Sequence, residues 1–157
     1  MKTSFLANET IYLEGLFEEY RNNPALVTPS GIRTFGEIRE RLRAVIFHLK
    51  EAGVRQNNSV ALHAENGELH LYLFLAAWVM GFLYLPLDFK APLGSLVEAA
   101  PLDVLITSGD VPPSVKIAVL RPARLLQSSS VVAQPESWPP IPFGREAGAV
   151  FTSGSTG

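Results

Sequence analysis

SVALHAENGELHLYLFLAAWVMGFLYLPLD, residues Ser59 to Asp88, decides how this chain folds. Ser59 to Ala64 is a short apolar run of the kind that forms a buried strand. Asn66-Gly67 turns the chain, and Glu68 to Met80 then carries apolar residues on nearly every side, which predicts a buried helix. Gly81 ends that helix, and Phe82 to Leu87 forms a second strand followed by Asp88. The stretch from Leu71 to Leu87 holds no charge and so raises the question of a membrane span. Gly81 and Pro86 interrupt it, and a buried helix followed by a buried strand is the better reading.

Working towards the N-terminus, Leu13, Leu16, Phe17 and Tyr20 fall at helical spacing and predict an amphipathic helix ending near Asn22-Asn23. Pro24 to Thr28 and Ile32 to Thr34 read as a hairpin around the turn residues Pro29-Ser30-Gly31. Thr34-Phe35-Gly36-Glu37 has capping-box spacing and opens a helix with Phe35, Ile38, Leu42, Val45, Ile46 and Leu49 on one face. Glu37 and Arg41 are spaced as an ion pair on its wet side, and Gly53 stops it.

Towards the C-terminus, a weaker helix runs from about Pro92 to Ala100, and Asp103 to Thr107 and Val115 to Leu120 are further strands. Pro122, Pro135, Pro139, Pro140 and Pro142, with Ser128-Ser129-Ser130 among them, mark an irregular connector with one short strand. Ala147 to Phe151 is the last strand. The chain therefore divides into an N-terminal α/β subdomain over 1–121, a Pro/Ser-rich connector over 122–146, and a strand with the start of a loop over 147–157. Alternating strands and helices with continuous apolar strands predict an α/β fold, a mostly parallel sheet flanked by helices.

Composition narrows the function. The 157 residues are 47% hydrophobic and 18% charged, enough to bury a core and against disorder. A net charge of -2 without a basic block gives nucleic acid no footing. Zero cysteines rule out disulfides and thiolate metal sites and fit a cytoplasmic protein. Glu9 and Glu14 stand where a signal peptide needs its apolar stretch.

The chain closes on VFTSGSTG, Val150 to Gly157. Thr152, Ser153, Ser155 and Thr156 offer hydroxyls, while Gly154 and Gly157 let the backbone approach another group closely. After a strand, such a run suits a loop that wraps a polyphosphate; the competing reading is a solvated tail. Ligands of parallel sheets gather beyond the carboxyl ends of the strands, where this run begins. It is not expected to be a Walker loop, a pattern that needs a lysine and then a hydroxyl after its last glycine, and it lacks the G-x-S-x-G of a hydrolase nucleophile. His48, His63 and His70 have no metal-ligand spacing and read as structural or surface histidines. Asp88 and Glu65 follow strands, where acids mostly cap the next turn.

VFTSGSTG resembles the phosphate loop of the adenylate-forming enzymes: acyl-CoA ligases, amino-acid adenylation domains and luciferases. Pro24-Ala25-Leu26 and Thr34-Phe35-Gly36-Glu37-Ile38 resemble the family's opening strand and "T-Y-G-E-L" helix start. Leu49, Gly53-Val54 and Val60-Ala61-Leu62 resemble its "L…GV…GD-V-A-L" passage, and Glu65-Asn66 the pair that follows. Ala76-Ala77, Gly81 and Tyr84-Leu85-Pro86-Leu87-Asp88 resemble "A…G-A-x-Y-x-P-L-D", and Leu102 to Thr107 the next strand. Asn57-Asn58 stands where Gly-Asp is usual, and Phe89 where proline is common.

The resemblance implies the N-terminal subdomain of the adenylate-forming fold. It further implies that Thr152, Ser153, Gly154, Ser155, Thr156 and Gly157 hold the ATP phosphates, with magnesium as counter-ion. A carboxylic acid would become an acyl-adenylate and then pass to coenzyme A. The compact passage between Leu87 and Leu102 is similar to the o-succinylbenzoate–CoA ligases of menaquinone biosynthesis. An amino-acid adenylation domain is the alternative, and a non-catalytic nucleotide- or protein-binding α/β module is the alternative of another class. In the family, the acid pocket, the ribose-binding aspartate and the C-terminal lysine domain lie beyond the position of Gly157. No catalytic or metal-binding residue is therefore expected here, and residues 1–157 alone are expected to be inactive. Nothing in the sequence speaks to oligomeric state.

Overall fold

The computed structural model describes residues 10–65, 67–99, 101–127, 138–142 and 146–149. Its centre is a parallel sheet of β4 (Ser59–His63), β5 (Leu83–Pro86), β6 (Val104–Thr107) and β7 (Ala118–Leu120), in the order β5-β4-β6-β7. Helix α3 (Gly67–Met80) connects β4 to its neighbour β5, and α4 (Leu93–Ala99) carries the chain from β5 to β6 on the far side of β4. Strand, crossover helix and parallel strand thus repeat as the Ser59–Asp88 pattern requires.

Side chains alternate across the sheet. Val60, Leu62, Tyr84, Val104 and Ile106 join the main core with α2 (Phe35–Glu51) and α3. Ala61, Leu85 and Leu105 face the other way, in a smaller core with Leu93 of α4. Both faces are covered, which is why these strands read as unbroken apolar runs rather than alternating ones. Leu62, Tyr72, Phe82 and Leu105 are fully buried, and each such side chain contributes about 1.5–3 kcal/mol.

The N-terminal elements are α1 (Leu13–Glu19) and a hairpin of β2 (Pro24–Thr28) and β3 (Gly31–Thr34). The capping box at the start of α2 is present. The Glu37 amide donates to Thr34 Oγ1 at 3.2 Å, and the Thr34 amide donates to the Glu37 carboxylate at 2.7 Å. The expected Glu37–Arg41 pair does not form, because the carboxylate is used in the cap and Arg41 donates to the Leu126 carbonyl at 2.9 Å. Arg33 pairs with Glu68 at 3.3 Å, and Tyr72 donates to the same carboxylate at 2.7 Å, tying the hairpin to α3.

Helix α3 is less enclosed than its composition predicts. Leu69, Tyr72, Leu73, Ala76, Ala77 and Val79 are buried, but Phe74 is 40% exposed. On α1, Leu13 and Phe17 turn inward, whereas Leu16 and Tyr20 lie on the outside. Asn57 has φ +68°, in the left-handed region. Asparagine tolerates that conformation, which explains how it stands where the family commonly has glycine.

The stretch from Pro122 opens with a helical turn, α5 (Pro122–Leu125). After it, β8 (Ile141–Pro142) pairs antiparallel with β1 (Thr10–Ile11), bringing the two ends of the described chain together. No helix of the described residues is long and apolar enough to cross a membrane.

Candidate functional site

The last described segment extends the sheet. Gly148 forms a parallel bridge with Tyr84 of β5. The Tyr84 amide donates to the Ala147 carbonyl at 3.0 Å, and the Ala149 amide donates to the Tyr84 carbonyl at 3.0 Å. Ala147 is buried in the main core. Because this segment runs parallel to β5, its carboxyl end points to the same edge of the sheet as those of β4, β5 and β6. That is the edge at which parallel sheets receive ligands. Val150 to Gly157, including Thr152, Ser153, Gly154, Ser155, Thr156 and Gly157, lie outside the described residues, as do Ser128 to Ser130, Pro135 and Asn66.

Beside Gly148 the sheet edge is tightly built. A β-carbon at 148 would stand 3.2 Å from the Tyr84 carbonyl oxygen, tighter than most such contacts, and 3.7 Å from the Phe74 ring, so glycine suits the close approach of the two backbones here. The Tyr84 hydroxyl, buried on the α3 side, is hydrogen-bonded to His70 Nδ1. Burial pushes the Tyr84 pKa up and the His70 pKa down, so both groups are held neutral.

At the carboxyl end of β4 and β6 the polar groups bond to one another. His63 and Thr107 are register partners, with Nδ1 and Oγ1 3.4 Å apart. His63 Nε2 lies 3.1 Å from the Ala91 carbonyl, which can only accept, so the proton is on Nε2 and Thr107 donates to Nδ1. Thr107, fully buried, also accepts from the Gly109 amide at 3.1 Å. Arg121 donates to the carbonyls of Thr107 at 3.1 Å and Gly109 at 2.6 Å, bracing the loop after β6.

Asp88 accepts from the Lys90 amide at 3.0 Å and so shapes the turn after β5. Glu65 is exposed after β4. His48 packs edge-on against Phe47 near the end of α2. Among the described residues no group of three His, Asp or Glu side chains is placed to hold a metal ion.

Sequence reasoning missed Glu14. Its carboxylate accepts from the Trp138 amide at 3.0 Å and pairs with Arg43 and, at 3.5 Å, with Arg39. Burial alone would raise its pKa, but the Trp138 amide and the two guanidinium groups outweigh that and hold it below the usual glutamate range. A carboxylate whose partners lie so far along the chain leaves no local signal.

Comparison with known proteins agrees with this architecture. A family model described as "AMP-binding enzyme" matches residues 14–157. Phenyloxazoline synthase MbtB of Mycobacterium sp. (strain MCS) is 29% identical over 156 residues, which is 92% of this chain and 13% of that protein. Pyochelin synthetase PchE of Pseudomonas aeruginosa is 32% identical over 129 residues, 79% of this chain and 8% of that protein. The chain thus spans a small part of the length of either relative.

Among solved structures, the N-terminal subdomain of Klebsiella oxytoca NpsA, in complex with 3-hydroxybenzoyl-AMSN, superposes with a TM-score of 0.76 at 22% identity, covering 93% of this chain and 38% of that one. O-succinylbenzoate coenzyme A synthetase (MenE) from Bacillus subtilis, in complex with AMP, gives 0.75 at 17% identity, covering 95% and 40%. At these identities the likeness is one of fold, and it extends to the α/β architecture with its four-stranded parallel sheet. With that fold in place, and a family model running from α1 through the hydroxyl–glycine run, the chain belongs to the AMP-binding enzyme family of adenylate-forming ligases.

Proposed function

We propose that this chain is the phosphate-loop-bearing N-terminal region of an adenylation domain that activates an amino or aryl carboxylic acid with ATP. The observation that carries the reading is the parallel segment at Gly148 beside Tyr84, whose carboxyl end faces the ligand edge of the sheet and continues in sequence into Thr152–Gly157. The amides and hydroxyls of that run are donors suited to the β and γ phosphates.

In the first step a carboxylate oxygen attacks the α-phosphorus, the bond to the bridging oxygen breaks, and pyrophosphate leaves with the electron pair. Donors on the leaving phosphates stabilise the charge that develops there. Magnesium would enter with ATP as counter-ion to its phosphates. In the second step a thiol attacks the acyl carbonyl and AMP departs. NpsA has also been solved as part of an artificially fused adenylation–PCP di-domain, and that pairing favours the thiol of a carrier protein over coenzyme A as acceptor.

The second reading is an o-succinylbenzoate–CoA ligase, favoured by the fold likeness to MenE and by the short passage between Leu87 and Leu102. The acid pocket and the second-step machinery are assigned to sequence outside these residues, so the 157 residues by themselves are proposed to be inactive.

Acid-dependent ATP–pyrophosphate exchange, measured on the protein at its natural length with amino acids, aryl acids and o-succinylbenzoate, decides between the readings. Exchange with an amino or aryl acid and thioester formation on a carrier protein are expected. Exchange with o-succinylbenzoate alone, followed by transfer to coenzyme A, would overturn the first reading in favour of the second.

A further inference from the structure

We propose that Glu14 is a positioning residue for the strand segment at Gly148 and, through it, for the Thr152–Gly157 run, a role that rests on reading that run as the phosphate loop. One carboxylate oxygen accepts from the Trp138 backbone amide at 3.0 Å. The other is held by Arg43 and Arg39, which stand one turn apart on α2. Helix α2 is fixed by Ile38, Leu42, Val45 and Leu49 in the core, so the carboxylate is held against an immobile surface.

Phe17, one turn beyond Glu14 on α1, meets Trp138 edge-on with ring centroids 6.0 Å apart. Ile141 then buries itself while its backbone pairs with Ile11, and Ala147 is buried before Gly148 joins β5. Among the described residues, the return of the chain to the sheet is held at Glu14, by the Phe17–Trp138 contact, at β1 and at β5. Neither arginine could replace Glu14, because an amide needs an acceptor and guanidinium has none.

The test compares Glu14→Leu, Glu14→Gln and Glu40→Gln in the protein at its natural length. Glu40 also pairs with Arg43, at 3.5 Å, but has no contact with Trp138 and is the matched control. Amide hydrogen exchange is read at Trp138 and Ala149, with Leu62 of β4 as internal reference, and the KM for ATP is measured beside kcat. Loss of a charge-assisted bond in Glu14→Leu is expected to speed exchange at Trp138 by about tenfold or more and to raise the KM for ATP more than it lowers kcat.

Glu14→Gln, whose amide oxygen still accepts from Trp138, is expected to restore both, and Glu40→Gln to leave both unchanged. Exchange at the wild-type rate in Glu14→Leu, equal impairment in Glu14→Leu and Glu14→Gln, or a Glu14→Leu chain that fails to fold would each overturn the positioning role. So would faster exchange with an unchanged KM for ATP while Thr156→Ala raises that KM. If Thr156→Ala leaves the KM unchanged, the phosphate reading itself falls, and the exchange data alone then decide whether Glu14 anchors the strand.

Discussion

Placing valine at Gly148 should detach the strand that leads to the hydroxyl–glycine run. Gly148 does not occupy the left-handed region, so the effect comes from space and not from backbone preference. Its new β-carbon would lie 3.2 Å from the Tyr84 carbonyl oxygen, with the Phe74 ring at 3.7 Å behind it. Backbone yields less readily than a flexible side chain, and the γ-methyls of valine add to the crowding, so the segment is expected to shift away from β5. That shift strains two hydrogen bonds, one from the Tyr84 amide and one from the Ala149 amide, both 3.0 Å long, and at the limit breaks them. At roughly 0.5–1.5 kcal/mol each, local opening becomes easier by about 1–3 kcal/mol, or roughly 5- to 150-fold. Amide exchange at Tyr84 and Ala149 reads this directly, while Leu62 on β4 should keep its protection. Gly148→Ala should give a smaller change in the same direction. An unchanged exchange rate at Tyr84 in Gly148→Val would show that the segment is not held by β5, and the reasoning fails.

Other perturbations probe the rest of the sheet edge. Thr107→Val leaves His63 Nδ1 without a donor and the Gly109 amide without an acceptor, and should cost about 1–3 kcal/mol in urea unfolding; Thr107→Ser should recover most of it, and equal loss in both would point to packing instead. Asn57→Gly should be tolerated or slightly stabilising at φ +68°, whereas Asn57→Val should cost about 1–2 kcal/mol; equal stability of the two in the same unfolding experiment would contradict the left-handed assignment. His70 has its pKa held by burial below its ordinary value of 6.5. Its contribution to stability is therefore complete above 6.5, and it is lost as pH falls through the folded value. Subtracting the pH–stability curve of His70→Gln from that of the wild type should give a difference that declines on acidification; a difference that grows would refute the burial of a neutral His70.

Much of the fold was legible because local rules and tertiary packing agree. The strands of the parallel sheet are apolar on both sides, and the helices start and stop at Thr34, Gly53 and Gly81, where their chemistry says they should. Reading failed where a distant partner outcompeted a local one. Glu37 and Arg41 have ideal spacing, yet the cap takes the glutamate and Leu126 takes the arginine. β1 and β8 are too short to carry a periodic pattern, and they meet from opposite ends of the described chain. The all-apolar α3 reads as enclosed, but Phe74 is exposed, and composition alone does not show which side of such a helix stays open. For the candidate site, the donor chemistry of Thr152–Gly157 was readable from residue types alone. The place of its strand beside Tyr84 was not, since nothing in Ala147-Gly148-Ala149 names its neighbour.

The affinity for ATP of the loop variants tests the central claim most directly. In the protein at its natural length, with acid-dependent pyrophosphate exchange as the readout, Ser153→Ala and Thr156→Ala remove hydroxyl donors assigned to the phosphates. Each is expected to raise the KM for ATP by about tenfold, as loss of a charge-assisted hydrogen bond implies, with the KM for the acid little changed. An ATP KM equal to wild type in both variants would contradict the assignment of Thr152–Gly157 as the phosphate loop.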